Sequence, residues 1–359
     1  MLNSLKNSIQ LLRPALIVLA LGLTGCQSFG PKLLPGDQFN YNAAVAESSQ
    51  QQLLINLVRL RYSEAPVFMK VSSVISQYAR TVSANVGAGV NTGLGGDNTA
   101  SIAGAGAWAD KPTITYLPVS GQEFSRNLLT PIPLKSLFQM MQSGWPVDLV
   151  IAIAMWSIND VVNEIARPSR RRQADPRLDE FFLVWSRLRN QGTLGIRNKV
   201  GSSDVILFFR EDASEESLED ISRFRELLTL DESINEYRVI QALIPRNPDE
   251  IAILTGSIWD IMLNLAWKFD VPQEHIASGR TSETFRSERS YGVPPIRLQY
   301  SKSKPDPELS FASVQAHGYW FFIDEHDRES KRTFSFLQLL LSLAETNIAD
   351  QSPVITISN

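Results

Sequence analysis

The chain has 359 residues, with 34 Lys and Arg against 38 Asp and Glu, and is 43% hydrophobic and 9% aromatic. That is the composition of a folded globular protein, and a net charge of −4 with a pI near 5.6 excludes whole-chain electrostatic recognition of nucleic acid. A single cysteine excludes a disulfide framework and a cysteine-ligated metal site.

Residues 1–25 read as a secretory signal peptide. Lys6 and Arg13 form its positive start, and Ala15 to Leu23 is an apolar stretch too short to span a bilayer of ~30 Å as a helix. Leu23-Thr24-Gly25-Cys26 has the form of a bacterial lipobox, so cleavage is expected before Cys26, with a covalent lipid on its sulfur as the one attached group. Acyl chains there would anchor the chain firmly, since two lipid signals already do so. Gln27, the residue after the cysteine, is the sorting position. It is not Asp, which points to the outer membrane on its periplasmic side. Loss of residues 1–25 removes two cations and leaves a mature net charge of about −6. Residues 26–40 read as a lipid-anchored tether, extended from Ser28 to Gly36 by Pro31 and Pro35.

Residues 41–166 form the first mature segment. Leu53, Leu54, Leu57, Val58 and Arg61 fall at helical spacing within Tyr41 to Tyr62, and Pro66 ends that pattern. The period then becomes two, through Val67, Met69 and Val71 and on to a strand from Tyr78 to Val90. Gly93 to Asn98 is turn chemistry, and a second extended stretch returns from Thr99 to Tyr116. Pro133 opens a helix closed by Gly144, and Pro146 opens another expected to reach about Ala166. Arg167 to Arg177, rich in Arg, Pro and Ser, reads as a basic linker to an α+β domain over residues 178–359. There, helices are expected at Leu178 to Arg189, Ser217 to Leu228, Ile258 to Phe269 and Ser330 to Leu343. Strands are expected at Leu194 to Lys199, Asp204 to Arg210, Tyr237 to Leu243, Pro295 to Tyr300, Gly318 to Ile323 and Val354 to Ser358. Ser278 to Pro295 reads as a surface loop. The whole is an α+β fold carrying one long Gly/Ala-rich β-hairpin.

Four stretches carry a resemblance: Arg59-Leu60-Arg61-Tyr62, Val71-Ser72-Ser73-Val74, Ser143-Gly144-Trp145-Pro146-Val147-Asp148-Leu149, and Tyr319 to Asp324 through Ser330 to Phe334. Together they resemble a functionally uncharacterised proteobacterial outer-membrane lipoprotein family. The resemblance runs along most of the mature chain. It implies lipid anchoring and one shared fold, and brings no catalytic residues with it.

The unusual stretch is Thr81 to Ala109, whose one charge is Asp97 and which is otherwise mostly Gly, Ala and small apolar residues. Val82, Ala84, Val86, Ala88 and Val90 alternate with Thr81, Ser83 and Asn85, and Ile102 and Trp108 stand in the returning strand. Such alternation, clean in the first strand and poor in the second, with flanking aromatics, suits a transmembrane hairpin; the other reading is a soluble hairpin packed on its own domain or a mobile Gly/Ala-rich loop. Phosphate loops and nucleophile elbows are missing, and the cysteine is committed to lipid. His275, His317 and His326 stand in no metal-ligand or catalytic spacing. Asp324 to Asp327 reads as a charged turn before a helix. No enzyme, no metal and no nucleic-acid partner is therefore expected. Two functions remain: an oligomeric structural or channel-forming envelope component working through the 71–117 hairpin as a homo-oligomer, or a monomeric lipoprotein whose α+β domain binds an envelope protein.

Overall fold

The computed structural model describes residues 30–75, 78–89, 99–110, 113–118, 122–167, 169–198, 205–289 and 296–345. Cys26, Gln27, Val90 and the expected strand at Val354 to Ser358 lie outside the described residues. The chain falls into two units, Met1–Ser49 and Gln50–Asn359. Of the first, the described part is the opening of helix α1 (Gly30–Arg61). The extended tether is therefore helical from Gly30. Pro31 falls in the first turn, where a missing N–H costs nothing because no carbonyl precedes it.

The second unit has an α+β fold. In chain order it holds β1 (Met69–Ile75), β2 (Tyr78–Gly89), β3 (Thr99–Asp110), β4 (Thr113–Pro118), α2 (Gln122–Leu129), α3 (Leu134–Gln142), α4 (Val147–Ala154), β5 (Met155–Ile158), β6 (Val161–Val162), β7 (Ile165–Arg167) and β8 (Arg170–Arg172). Then come α5 (Arg177–Asn190), β9 (Leu194–Asn198), β10 (Val205–Phe209), α6 (Glu215–Leu228), β11 (Glu236–Ile240), β12 (Glu250–Thr255), α7 (Ile258–Ala266), α8 (Gln273–Ala277), β13 (Gln299–Ser301), β14 (Ser310–Ala316), β15 (Tyr319–Asp324) and α9 (Arg328–Glu345). A six-stranded sheet in the order β6-β5-β12-β11-β10-β9 forms the centre, and β13-β15-β14 form a second sheet. The central sheet is antiparallel except between β11 and β12.

Three expectations fail here for identifiable reasons. The helix opened by Pro146 stops at Ala154, and the chain continues as β5. Asn163 causes the stop: its Nδ2 donates to the carbonyls of Ala152 (3.0 Å) and Met155 (2.8 Å), satisfying acceptors a longer helix would have used. Asn159 then takes a left-handed turn at φ 48° and pairs with Ala252 of β12, its backbone N–H and side-chain oxygen each holding one main-chain group. Next, Arg167 to Arg177 is not a linker. Strands from before it, β5 and β6, and after it, β9 to β12, share one sheet, and residues on both sides share one core. Its charges are tied down as well: Arg167 pairs with Asp260 at 2.6 Å and lies over the Trp156 ring, and Arg172 donates to the Asn163 carbonyl.

The described part of Ser278 to Pro295 is a strap packed into the body. Phe285 is buried and its N–H donates to the Trp267 carbonyl (2.9 Å), Ser287 donates to Glu164 (2.5 Å), and Arg289 pairs with Asp179 (2.8 Å). Polar sequence misled because these polar groups meet buried partners. Six strands, β5 to β8, β12 and β14, go beyond the sequence reading. Helix packing follows the aromatic stripe of α5, where Phe181 and Trp185 meet Phe224 of α6 at ring distances of 5.5 and 5.8 Å. Ser214 caps α6, and a Ser257–Asp260 capping box starts α7.

Candidate functional site

The hairpin begins on α1. Leu53, Leu54, Leu57 and Val58 bury one face of that helix. Gln52 and Asn56, one turn apart, grip the chain that enters β1. Asn56 Nδ2 donates to the Val67 carbonyl (2.8 Å) and its Oδ1 accepts from the Val67 N–H (2.9 Å). Gln52 repeats the pattern on Met69, with Nε2 on the carbonyl (2.9 Å) and Oε1 accepting the N–H. A helix spacing of four thus matches a strand spacing of two, and two side-chain amides act as a neighbouring strand for the hairpin root.

From that root, β1 pairs with β4 and β2 with β3, both antiparallel. Ser73 opposite Thr115, Ile75 opposite Thr113, Tyr78 opposite Asp110 and Gly89 opposite Thr99 keep the same register in the two described pairs. The 12 residues of β2 alone measure ~40 Å at ~3.3 Å per residue. Among the described residues the register shifts once, at a bulge between Val71 and Ser73. Opposed residues of an antiparallel pair share a face. The bulge therefore brings the odd-numbered Met69 and Val71 onto the same face as Val74 and the even positions of β2. Along that face run Tyr116, Ile114, Trp108 and Ile102 of the returning strands, with Ile102 opposite Val86 and Trp108 opposite Arg80. Val82, Ala84 and Val86 oppose Gly106, Gly104 and Ile102, and Ala88 opposes Ala100. At the root this face is open to solvent: Met69 is 45% exposed, Ile114 41% and Tyr116 49%. The register thus joins Val82, Ala84, Val86, Ala88, Ile102 and Trp108 on one face and extends the apolar stripe below them.

Sequence reasoning missed what locks the end of α1. The Tyr62 hydroxyl lies 2.6 Å from His275 Nδ1, and the Tyr62 ring stacks on His317 at 4.0 Å. His275 contacts Tyr319 edge-on at 5.4 Å, and the Tyr319 hydroxyl donates to Glu274 (2.8 Å). His317, at φ 52° in the turn joining β14 to β15, places Nε2 3.5 Å from Glu64. Burial pushes the Tyr62 phenol up to about 12, and burial with help from Arg280 pushes the His275 imidazolium down. Tyr62 therefore donates and neutral His275 accepts. Both are buried, so the group works as a clamp that ties the end of α1 to the body. Beside it, fully buried Arg61 lies over Trp267 at 4.4 Å and donates to Thr281 Oγ1 (2.5 Å) and the Ser282 carbonyl (2.7 Å). Desolvation lowers its pKa to about 10. No sequence pattern announces partners more than two hundred residues apart.

His326 stands apart from this cluster, 80% exposed beside Asp324 at 3.3 Å. It lines an open cleft of about 830 Å³ with Arg286, Arg297 and Asp327. Two ion pairs lie along the cleft, Arg286–Asp270 (2.6 Å) and Arg297–Asp327 (3.2 Å). Asp327 also caps α9 through the Ser330 N–H (3.1 Å). Among the described residues, no group of three or more His, Cys, Asp or Glu is placed to hold a metal ion, and no helix is long and apolar enough to cross a membrane. No protein-family model matches the chain, and no curated protein or solved structure matches it.

Proposed function

We propose that the chain is a lipid-anchored, non-enzymatic component of the outer membrane, held by Cys26 and sorted by Gln27. In this reading it assembles with copies of itself through the hairpin into a structural or channel-forming ring. The observation that carries the reading is the common register of the described pairs β1–β4 and β2–β3, which puts Val82, Ala84, Val86, Ala88 and Ile102 on one face that is exposed at the root. Thr81 to Gly89 and Thr99 to Ala107 each supply about nine residues, the length of a tilted transmembrane strand. A two-stranded ladder leaves both edges unpaired, which is unstable in lipid and invites pairing with another copy. About eight strands close the smallest barrel, so a ring needs roughly four subunits or more. The even face would meet lipid, and Thr81, Ser83 and Asn85 a watery lumen. Deletion of Thr81 to Ala109 tests this reading. It predicts a folded, lipidated monomer in place of an oligomer. An oligomer of unchanged size would instead favour an assembly surface elsewhere.

A further inference from the structure

Among the described residues the central sheet ends at β9, and that edge is open. Arg210 donates its N–H to the Thr193 carbonyl (3.0 Å) in line with the β9–β10 register. Bonded and non-bonded pairs alternate in an antiparallel ladder. Gly195 and Arg197 therefore turn their main-chain groups toward β10, while Leu194, Ile196 and Asn198 turn theirs outward. Consistent with that, the Ile196 carbonyl accepts from the Gln142 side chain (3.2 Å), an exposed bond that a strand could replace. Leu194 and Ile196 share a face, and beneath them lies a pocket of about 110 Å³ lined also by Met141, Gln142, Trp185 and Arg189. The Trp185 Nε1–H is buried and has no hydrogen-bond partner. An open backbone edge beside a pocket for one apolar side chain is the geometry of strand addition.

We propose that the occupant is the chain's own segment Val354 to Ser358, docking on the β9 edge of the same molecule. Val354-Ile355-Thr356-Ile357 is β-branched throughout, and Ile355 and Ile357, two apart, present aliphatic side chains to one face. Pro353 stands just before it, where a strand tolerates proline. Helix α9, which precedes the segment, packs near the pocket. Phe336 of α9 packs on Trp145 at 5.1 Å, and Trp145 lies three residues beyond Gln142 at the pocket. Helix α9 runs on from there to Glu345, ~14 Å at ~1.5 Å per residue. Residues 346–353 can extend by a further ~26 Å. This inference is independent of the hairpin's role.

Hydrogen exchange on the full detergent-extracted chain tests it, with wild type compared with the double variant Ile355→Asp/Ile357→Asp, which alters no residue of the described core. The wild-type Leu194 and Ile196 amides should be protected. In the variant they should exchange faster by on the order of tenfold or more, while β10 and β11 amides keep their rates. Equal exchange at Leu194 and Ile196 in both proteins would overturn the proposal. Protection that vanishes on dilution, together with a change in oligomer mass, would also overturn it by assigning the strand to a second copy.

Discussion

Replacing Gln52 and Asn56 by alanine together should loosen the hairpin root without unfolding the body. The change removes four hydrogen bonds that fix the main chain of Val67 and Met69. Asn56 is 0% exposed, so its two bonds should each count for about 1 kcal/mol net; those of Gln52 are solvated and fall near 0.5 kcal/mol each. Local opening should therefore become easier by about 3 kcal/mol, roughly a hundredfold in the opening equilibrium. Asn56→Ala alone should account for about two-thirds of that free energy. Neither change touches the side chains of the central sheet, so the global unfolding midpoint should shift less than the local opening does. Amide hydrogen exchange of Lys70 to Ile75 measures the opening, and chemical unfolding followed by tryptophan fluorescence measures the rest. Exchange in β1 that rises less than about threefold, or a global destabilisation as large as the local one, would refute the clip.

Acid should weaken the fold through His275. Its folded-state pKa lies below the unfolded value of ~6.5, so its contribution is complete above that pH and is lost as pH falls from ~6.5 toward the folded pKa. Unfolding midpoints should drop between pH 7.5 and 5, while Tyr62→Phe starts lower and falls less steeply; a flat wild-type profile contradicts the clamp. Lys268→Met should cost about 3–5 kcal/mol, because it strands Glu164, 1% exposed and paired at 2.5 Å, as a buried unpaired carboxylate. Adding Glu164→Gln should recover part of that loss in the denaturant midpoint, and a double variant no better than the single one would argue against the pair. Cys26→Ser should leave the chain uncleaved or released from the outer membrane, and fractionation showing it processed and membrane-held would count against the lipobox.

Much of the fold was legible where a single period dominates. The 3.6-residue pattern at Leu53, Leu54, Leu57 and Val58 marks α1, and the aromatic spacing of Phe181 and Trp185 marks α5. The run Leu149 to Trp156 was not legible, because an unbroken apolar stretch suits helix and strand alike; Asn163, a residue outside the run, decides between them. Strand β12 is another short apolar run, its Ile251 to Leu254 set between Pro248 and Gly256 without alternation. The hairpin was visible as alternation, but the face it shares with its root depended on a bulge at Ser72 that no periodicity marks. Gln52 and Asn56 read as the polar side of a helix, and Tyr62, His275 and His317 as isolated residues. Their roles arise from contacts across sequence distances that local pattern does not reach.

The most direct test of assembly through the hairpin is the mass of the lipidated protein in mild detergent, by light scattering, for wild type, Val86→Arg and Asn85→Arg. Val86 lies opposite Ile102 on the apolar face and Asn85 opposite Ala103 on the other. A cation facing lipid at mid-depth costs about 2–4 kcal/mol per strand, whereas one facing a lumen is tolerated. Assembly through the hairpin gives an oligomer of roughly four or more subunits for wild type and Asn85→Arg, and a monomer for Val86→Arg. A monomeric wild type, or two arginine variants that behave alike, would contradict it and favour a monomer that binds a separate envelope protein.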